Sequence, residues 1–268
     1  MTALFANDIF IESGKPNCYV IIIMTPRQRK LLQAIINEFI ESAEAVGSVN
    51  LVNKYHLNVS SATIRNEMAE LVKQGYLAKL HSSAGRIPTT MGYKAFVEEL
   101  VESLKSDDTG LNTVSSTLIR EELFRNRFDF DELLYSALAA LVEQTGNVAM
   151  AVVNGRVYHS GLARIPTMPE FRQVQGLCNL INIIEDRITL REILTNNYEG
   201  HKVRILFGAD TGQPMLQGMA LIYCRVSLFN NVQGYLGVIG SERINYSMIV
   251  PIVDYIARTT EQVVAGWK

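Results

Sequence analysis

Between positions 60 and 86 the chain places an unusual density of side chains suited to holding a phosphodiester. Ser60, Ser61 and Thr63 stand at the start of a short helical pattern. There free backbone N–H groups and hydroxyls favour phosphate oxygens. Arg65 can reach a base edge or a phosphate, and the Asn66 amide can pair with adenine. Lys73 follows on the same outer face and Lys79 on the next extended segment. His81-Ser82-Ser83-Ala84-Gly85-Arg86 reads as a polar loop, with Gly85 as a flexible tip and Arg86 as a fixed positive charge suited to the minor groove. Each has a plainer reading. Ser60 or Ser61 can be a simple N-cap, Asn66 a solvated residue, Arg65 a partner of Glu41 or Glu44, and the loop an ordinary hairpin. Read together, Ser60, Ser61, Thr63, Arg65, Asn66, Lys73, Lys79, Ser82, Ser83, Gly85 and Arg86 are candidate DNA contacts.

These residues need elements that present them. Thr25-Pro26 opens a helix, with Thr as N-cap and Pro at the first helical position. Leu31, Leu32, Ile35, Ile36, Phe39 and Ile40 then recur at helical spacing, and the pattern predicts an end near Val46-Gly47. Ser48 caps a second helix through Tyr55. A third runs from Ser60-Ser61 to Gln74, with Ile64, Met68 and Leu71 inward and Ala62, Asn66, Ala69 and Lys73 outward. Strand 76–80, the loop and an extended Ile87-Pro88-Thr89 complete a winged helix-turn-helix, and a fourth helix covers 90–104.

Further along, helices are expected at 118–124 and 130–143. Strand 148–153 turns at Asn154-Gly155 into Arg156-Val157-Tyr158, Asn-Gly being a strong hairpin signal. A helix at 169–182, a short one at 188–194 and a strand at 203–207 follow. Strands 219–228 and 234–240 pair across a turn at Asn230-Asn231, and an amphipathic helix at 249–264 closes the chain. The fold class is α+β, and four segments are expected: a leader at 1–24, the helix-turn-helix at 25–97, linker helices at 98–130, and a regulatory and oligomerisation domain at 131–268.

The 268 residues, 48 % of them apolar, suffice for a substantial core. The overall charge of −2 says little, but its distribution is uneven: 25–97 holds nine Lys or Arg against five Asp or Glu, and 98–268 holds 15 against 20. A mildly basic reader joined to an acidic controller fits that asymmetry. Cys18, Cys178 and Cys224 form no CxxC and point to the cytoplasm. Tyr19 to Met24 is too short to cross a membrane, and the residues before it lack a basic signal-peptide start. The leader is either a packed extension or a poorly ordered segment with Met24 as the effective start. His56, His81, His159 and His201 have no metal-ligand spacing, and Cys178 and Cys224 read as buried structure rather than nucleophiles. Gly208 to Gly212 reads as a hairpin connection. No enzyme, cofactor or metal is expected.

The run Ser61-Ala62-Thr63-Ile64-Arg65-Asn66-Glu67-Met68, with Leu71, Gly75-Tyr76-Leu77 and 81–89, closely resembles the HrcA family of heat-inducible transcription repressors. Gly237-Val238-Ile239-Gly240, Arg243, Tyr246 and 249–255 are similar to that family's closing strand and helix. A weaker likeness lies at 157–162 with Pro169-Glu170-Phe171. The resemblance implies a winged helix-turn-helix followed by a GAF-like α/β domain, and a homodimeric repressor of chaperone genes. It also implies binding to an inverted-repeat CIRCE operator on double-stranded DNA, with the chaperonin GroEL promoting the DNA-binding form. Ser61, Thr63, Arg65 and Asn66 would then lie in the recognition helix, and Gly85 and Arg86 in the wing. The chain departs from the family in one place. Strand 148–153 and the segment from Gly155 meet almost directly, where relatives carry early GAF-like strands and most of an inserted dimerisation domain. A reduced GAF-like domain follows, which either pairs by other surfaces or belongs to a relative with altered assembly. Two other readings are a small-molecule-sensing regulator and a protein-interaction or chaperonin-docking module without specific DNA binding. A preference for operator over shuffled duplex separates both from a DNA reader.

Overall fold

A computed structural model describes residues 24–55, 59–80, 85–103, 109–167, 169–171, 174–197, 203–229 and 232–265. The leader, the loop residues His81 to Ala84, and the Asn230-Asn231 turn lie outside the described residues. The chain divides into two compact units, one ending at Thr89 and one beginning at Thr90, the latter also taking in Ile40–Ala43.

The first unit contains α1 (Pro26–Ser42) as far as Phe39, α2 (Ser48–Tyr55), α3 (Ser61–Lys73) and a hairpin of β1 (Leu77–Lys79) and β2 (Arg86–Pro88). Its core is aliphatic: Leu31, Leu32, Ile35 and Ile36 from α1, Leu51 from α2, and Ile64, Met68 and Leu71 from α3 are all buried. α1 stops at Ser42, short of the expected Val46-Gly47. Ala43 turns to a positive φ of 57°, and Val46 leaves the helix to form an antiparallel bridge with Arg86. Helical periodicity could not foresee that, because Val46 is apolar in either role.

The second unit contains α4 (Thr90–Ser103), α5 (Thr113–Arg125) and α6 (Phe130–Thr145), then β3 (Val148–Val153) and β4 (Arg156–Ser160). It continues with α7 (Val174–Glu185), α8 (Arg187–Asn196), β5 (Arg204–Phe207), β6 (Met219–Ser227), β7 (Gln233–Ser241) and α9 (Tyr246–Ala265). The five strands form one antiparallel sheet in the order β4-β3-β7-β6-β5. The side chains of Val148, Met150, Met219, Leu221, Tyr223 and Ile239 pack on one face with Leu180, Ile183 and Ile184 of α7 and Leu190, Ile193 and Leu194 of α8. α6 and α9 cover the other face. Covered on both sides, β3 and the first six residues of β6 are continuously buried, which is why they read as unbroken apolar runs. The β3–β4 turn has Asn154 at φ 51° and Gly155 at φ 72°, the left-handed pair that a two-residue hairpin requires.

Several boundaries shift for identifiable reasons. α5 begins at Thr113, capped by Asn112, whose side chain accepts from Ser115 N at 2.8 Å. Pro169–Phe171 is a single 3-10 turn, and the α-helix begins only at Val174. The β5–β6 connection, expected as a simple hairpin, winds through two 3-10 turns, Gly208–Asp210 and Pro214–Leu216. Cys224 is buried as expected and burial raises its thiol well above the ordinary range, but Cys178 is exposed on α7, on the side away from Leu180, Ile183 and Ile184.

α4 belongs to this second unit rather than to the helix-turn-helix span that was expected to reach 97. Tyr93 and Phe96 of α4 join Phe207 and Tyr246 in an aromatic cluster, with Tyr93–Tyr246 centroids 5.7 Å apart and Phe207–Tyr246 centroids 6.1 Å apart. Tyr246 is fully buried, and its hydroxyl donates to the Glu242 carbonyl at 2.7 Å. This cluster sets a graded expectation. Tyr246→Ala should cost about 3–5 kcal/mol through the cavity it leaves. Tyr246→Phe, which loses one hydrogen bond, should cost about 1 kcal/mol. Calorimetry of the full chain checks the order, and equal losses for the two variants would contradict it.

Candidate nucleic-acid interface

α3 is a helix with two different sides. Ile64, Met68 and Leu71 are buried, while Ala62, Arg65, Asn66, Ala69 and Lys73 are exposed. Ser60 is the N-cap: its Oγ accepts from Thr63 N at 3.1 Å and lies 3.0 Å from Thr63 Oγ1. Of the two serines that could cap, Ser60 takes the role, and Ser61 and Thr63 are half-buried beside it. Among the described residues Arg65 makes no ion pair, so the pairing with Glu41 or Glu44 weighed from the sequence does not form. Lys73 lies 3.3 Å from Glu70 one turn back, both side chains well exposed, a contact worth little in water. The outer face therefore offers a guanidinium and a carboxamide with two alanines beside them, which permits close approach to a groove.

Two polar links hold this helix and its neighbour in place. Arg27 of α1 pairs with Glu67 of α3. Glu38 of α1 is buried, lies 2.6 Å from Lys54 of α2, and accepts from Asn50 Nδ2 at 3.0 Å. The Lys54 ammonium hydrogen-bonded to Glu38 holds its carboxyl below the ordinary carboxylate value, against the opposing pull of burial. The signal for Glu38 was present in the sequence: Leu31, Ile35 and Glu38 fall on one helical stripe, so a charge there needs a partner from the facing helix.

The hairpin differs in detail from its expected form. Arg86, expected in the polar loop, is not a loop residue. It is the first residue of β2, opposite Lys79, and its N–H and C=O both bond to Val46 at 2.8 Å. Gly85 is no flexible tip either. A Cβ there would lie 2.5 Å from the carbonyl oxygens of both Ala45 and Val46, so glycine is required for the chain to pass that close. The Arg86 side chain is half-buried and Lys79 is exposed. Thr89 locks the hairpin base by donating to the carbonyls of Gly75 at 2.6 Å and Tyr76 at 3.1 Å. Ser82 and Ser83 lie outside the described residues. Leu80, just after β1, is apolar yet exposed.

Away from the helix-turn-helix, Phe130, Asp131, Val153, Asn154, Arg156 and Tyr158 line an open cleft of about 450 Å³. Its Asp131 and Arg156 are charged groups that the sequence did not show to converge. Among the described residues no cluster of His, Cys, Asp and Glu could hold a metal ion, and no helix is long and apolar enough to cross a membrane.

Three helices and a hairpin, joined to a mixed α/β domain, define a two-part regulator of the helix-turn-helix class. Residues 33–90 match the model of the DeoR-like helix-turn-helix domain, and residues 93–250, more than half of the chain, match that of the HrcA protein C-terminal domain. The chain belongs to the HrcA family. The junction of the two matches agrees with the division between the two units. A heat-inducible transcription repressor HrcA from Ruminiclostridium cellulolyticum is 24 % identical over 339 aligned positions, covering 90 % of this chain and 97 % of that protein. Its namesake from a Roseiflexus species is 43 % identical over 127 positions, 47 % of this chain and 34 % of that one. The first alignment is longer than this chain, so that relative carries segments with no counterpart here. A crystal structure described only as a hypothetical protein shares the fold, with a TM-score of 0.74 at 17 % identity, covering 91 % of this chain and all of that one.

The Glu38–Lys54 link gives a pH-dependent expectation. Because the folded carboxyl titrates below its unfolded value, its contribution is complete above about pH 4.5 and is lost as pH falls through the lowered folded value. Glu38→Gln should therefore destabilise the helix-turn-helix at pH 7 by roughly 1–3 kcal/mol, read as a lower melting temperature. Parent and variant should converge in acid. A gap that stays constant down to pH 3 would show that the charge is not the cause.

Proposed function

We propose that this chain is a sequence-specific, DNA-binding repressor of heat-shock genes that reads an inverted-repeat operator of the CIRCE type as a homodimer in the cytoplasm. Family membership supports repression. The observation that carries DNA reading is the outer face of α3, where Arg65 and Asn66 are exposed between Ala62 and Ala69 while the inner face is held by buried aliphatic side chains. In this reading Asn66 and Arg65 contact base edges. Ser60, Ser61, Thr63, Lys73 and Lys79 hold the phosphate backbone. Gly85, Arg86 and the loop with Ser82 and Ser83 form the wing. Two copies place their α3 helices about 34 Å apart, or a multiple of it, on one face of the duplex.

The second unit acts as the controller. We read its five-stranded sheet as a reduced GAF-like domain in which a two-residue turn joins β3 to β4, where relatives are expected to carry their inserted dimerisation domain. The chaperonin GroEL, through this unit, would sustain the competent form. Repression ends when the unit loses that geometry.

An operator titration tests the reading. The parent should bind an inverted-repeat duplex at least about 1,000-fold more tightly than a shuffled one. Its affinity should fall steeply with salt as phosphate contacts release counterions. Asn66→Ala or Arg65→Ala should weaken operator binding by about 5- to 150-fold and relax specificity, with helix content unchanged. Lys73→Ala should weaken all sequences alike and reduce the salt slope. Equal affinity of the parent for operator and shuffled duplex would end this reading.

A further inference from the structure

α1 carries its cations at the end of the helix where they are least welcome. Arg27, Arg29 and Lys30 fall within its first five residues. No carboxylate occurs on the helix before Glu38, which is buried and paired with Lys54. A helix N-terminus is already positive, so carboxylates stabilise it and cations work against it. The cap follows the same pattern. Gln28 N–H donates to Thr25 Oγ1 at 3.2 Å, and Thr25 N–H donates to Gln28 Oε1 at 2.9 Å, a reciprocal capping box. Its third helical position holds a neutral amide where glutamate would serve equally well. The box also engages backbone donors of the helix end, so what this turn offers an anion is its side chains.

Two of the three cations share a flank turned towards α3. Arg27 Nη2 donates to the Glu67 carboxylate. The Glu67 side chain is 14 % exposed and that of Arg27 is 60 % exposed. The carboxylate is thus covered, while the guanidinium, with five N–H donors, keeps donors on the water side. Lys30 follows Arg27 by three residues, about 60° round the helix, and is exposed. Arg29 is exposed too but lies about 160° from Arg27, on the opposite edge. Among the described residues neither Lys30 nor Arg29 forms an ion pair.

The occupant follows from this placement. Glu67 directly succeeds Asn66 in α3, so its bond to Arg27 sets Arg27 and Lys30 beside the face that carries Asn66. A helix laid in the major groove is bordered by phosphates, and cations flanking such a helix meet them. We propose that Arg27 and Lys30 form a second backbone grip, contacting phosphates of the strand that borders the groove entered by α3. The proposal rests on the operator reading above for the placement of α3, and adds contacts from outside both that helix and the wing.

Salt titrations of the full chain on an inverted-repeat duplex and on a shuffled duplex of equal length, from about 50 to 200 mM, test it. Lys30→Ala should weaken binding to both duplexes by the same factor. It should also lower the slope of log affinity against log salt by about 0.9, the value of one phosphate contact. Arg29→Ala removes the same charge from the other edge of the helix and should leave the slope unchanged. Arg27→Ala alone would strand Glu67, so it is combined with Glu67→Gln. That double variant keeps the net charge of the parent, yet loss of an Arg27 contact still lowers its slope by about 0.9. Melting temperatures of the Lys30 and Arg29 variants should equal or slightly exceed that of the parent, because each loses a cation from the positive end of a helix. A Lys30→Ala slope equal to the parent's, an Arg29→Ala loss as large as that of Lys30→Ala, or a double variant with the parent's slope would each overturn the proposal. So would a loss of affinity that tracks a lowered melting temperature. The two readings fail separately. A parent that prefers operator, with a Lys30 variant of unchanged slope, ends the grip and leaves the operator reading standing. A parent without operator preference, whose slope still falls in the Lys30 variant, ends the operator reading and keeps the grip.

Discussion

A helix can read a groove only if its outer side chains are fixed relative to the rest of the contact surface. In the first unit that constraint is met by one pair of backbone hydrogen bonds. Val46, in the segment between α1 and α2, exchanges N–H and C=O with Arg86 at the base of the hairpin, both at 2.8 Å. The bridge adds a third extended segment to a two-stranded hairpin that would be marginal alone. It sets where the wing leaves the helical body and fixes the backbone from which Arg86 projects. It also explains why Gly85 precedes Arg86: two carbonyls occupy the space where a side chain would begin. α1 ends at Ser42 for the same reason, since Val46 cannot be helical and bridged at once.

Polar contacts complete the frame on the other side. Arg27–Glu67 and Glu38–Lys54–Asn50 tie α1 to α3 and to α2. The two differ in value. The Arg27 side chain is largely in water, so its pair contributes little. Glu38 is buried, so removing its partner would strand a charge, which is costly out of proportion to what the pair itself stabilises. Such an arrangement specifies helix orientation more than it adds stability.

The sequence was most readable where one physical requirement dominates. The stripe Ile64, Met68, Leu71 has a single explanation, and α3 forms as its period demands. Asn154-Gly155 demands left-handed backbone, and the hairpin is there. The pairing of β6 with β7 followed from the two apolar runs at 219–228 and 234–240, although the paired segments are 219–227 and 233–241. It was least readable where a residue suits two roles. Val46 serves a helix or a bridge equally well. Gly85 suits a flexible tip or a tight passage. α4 continues the helical pattern of the reader in sequence, yet its aromatic residues pack with Phe207 and Tyr246, and no local pattern carries that long-range choice. Tyr246 and Arg243, which carried part of the family likeness, prove to be structural: one fills the aromatic cluster, and the other pairs with Glu170 at 2.5 Å.

The same distinction bears on the second unit. A relative that aligns over more positions than this chain has residues carries segments that this chain does not. Here β3 and β4 are joined directly by Asn154 and Gly155, whose left-handed backbone leaves no element between the two strands. The α5–α6 hairpin is likewise fixed within the chain itself, because Ile119 and Leu123 anchor it inward while Asn126 and Asp129 pin its turn.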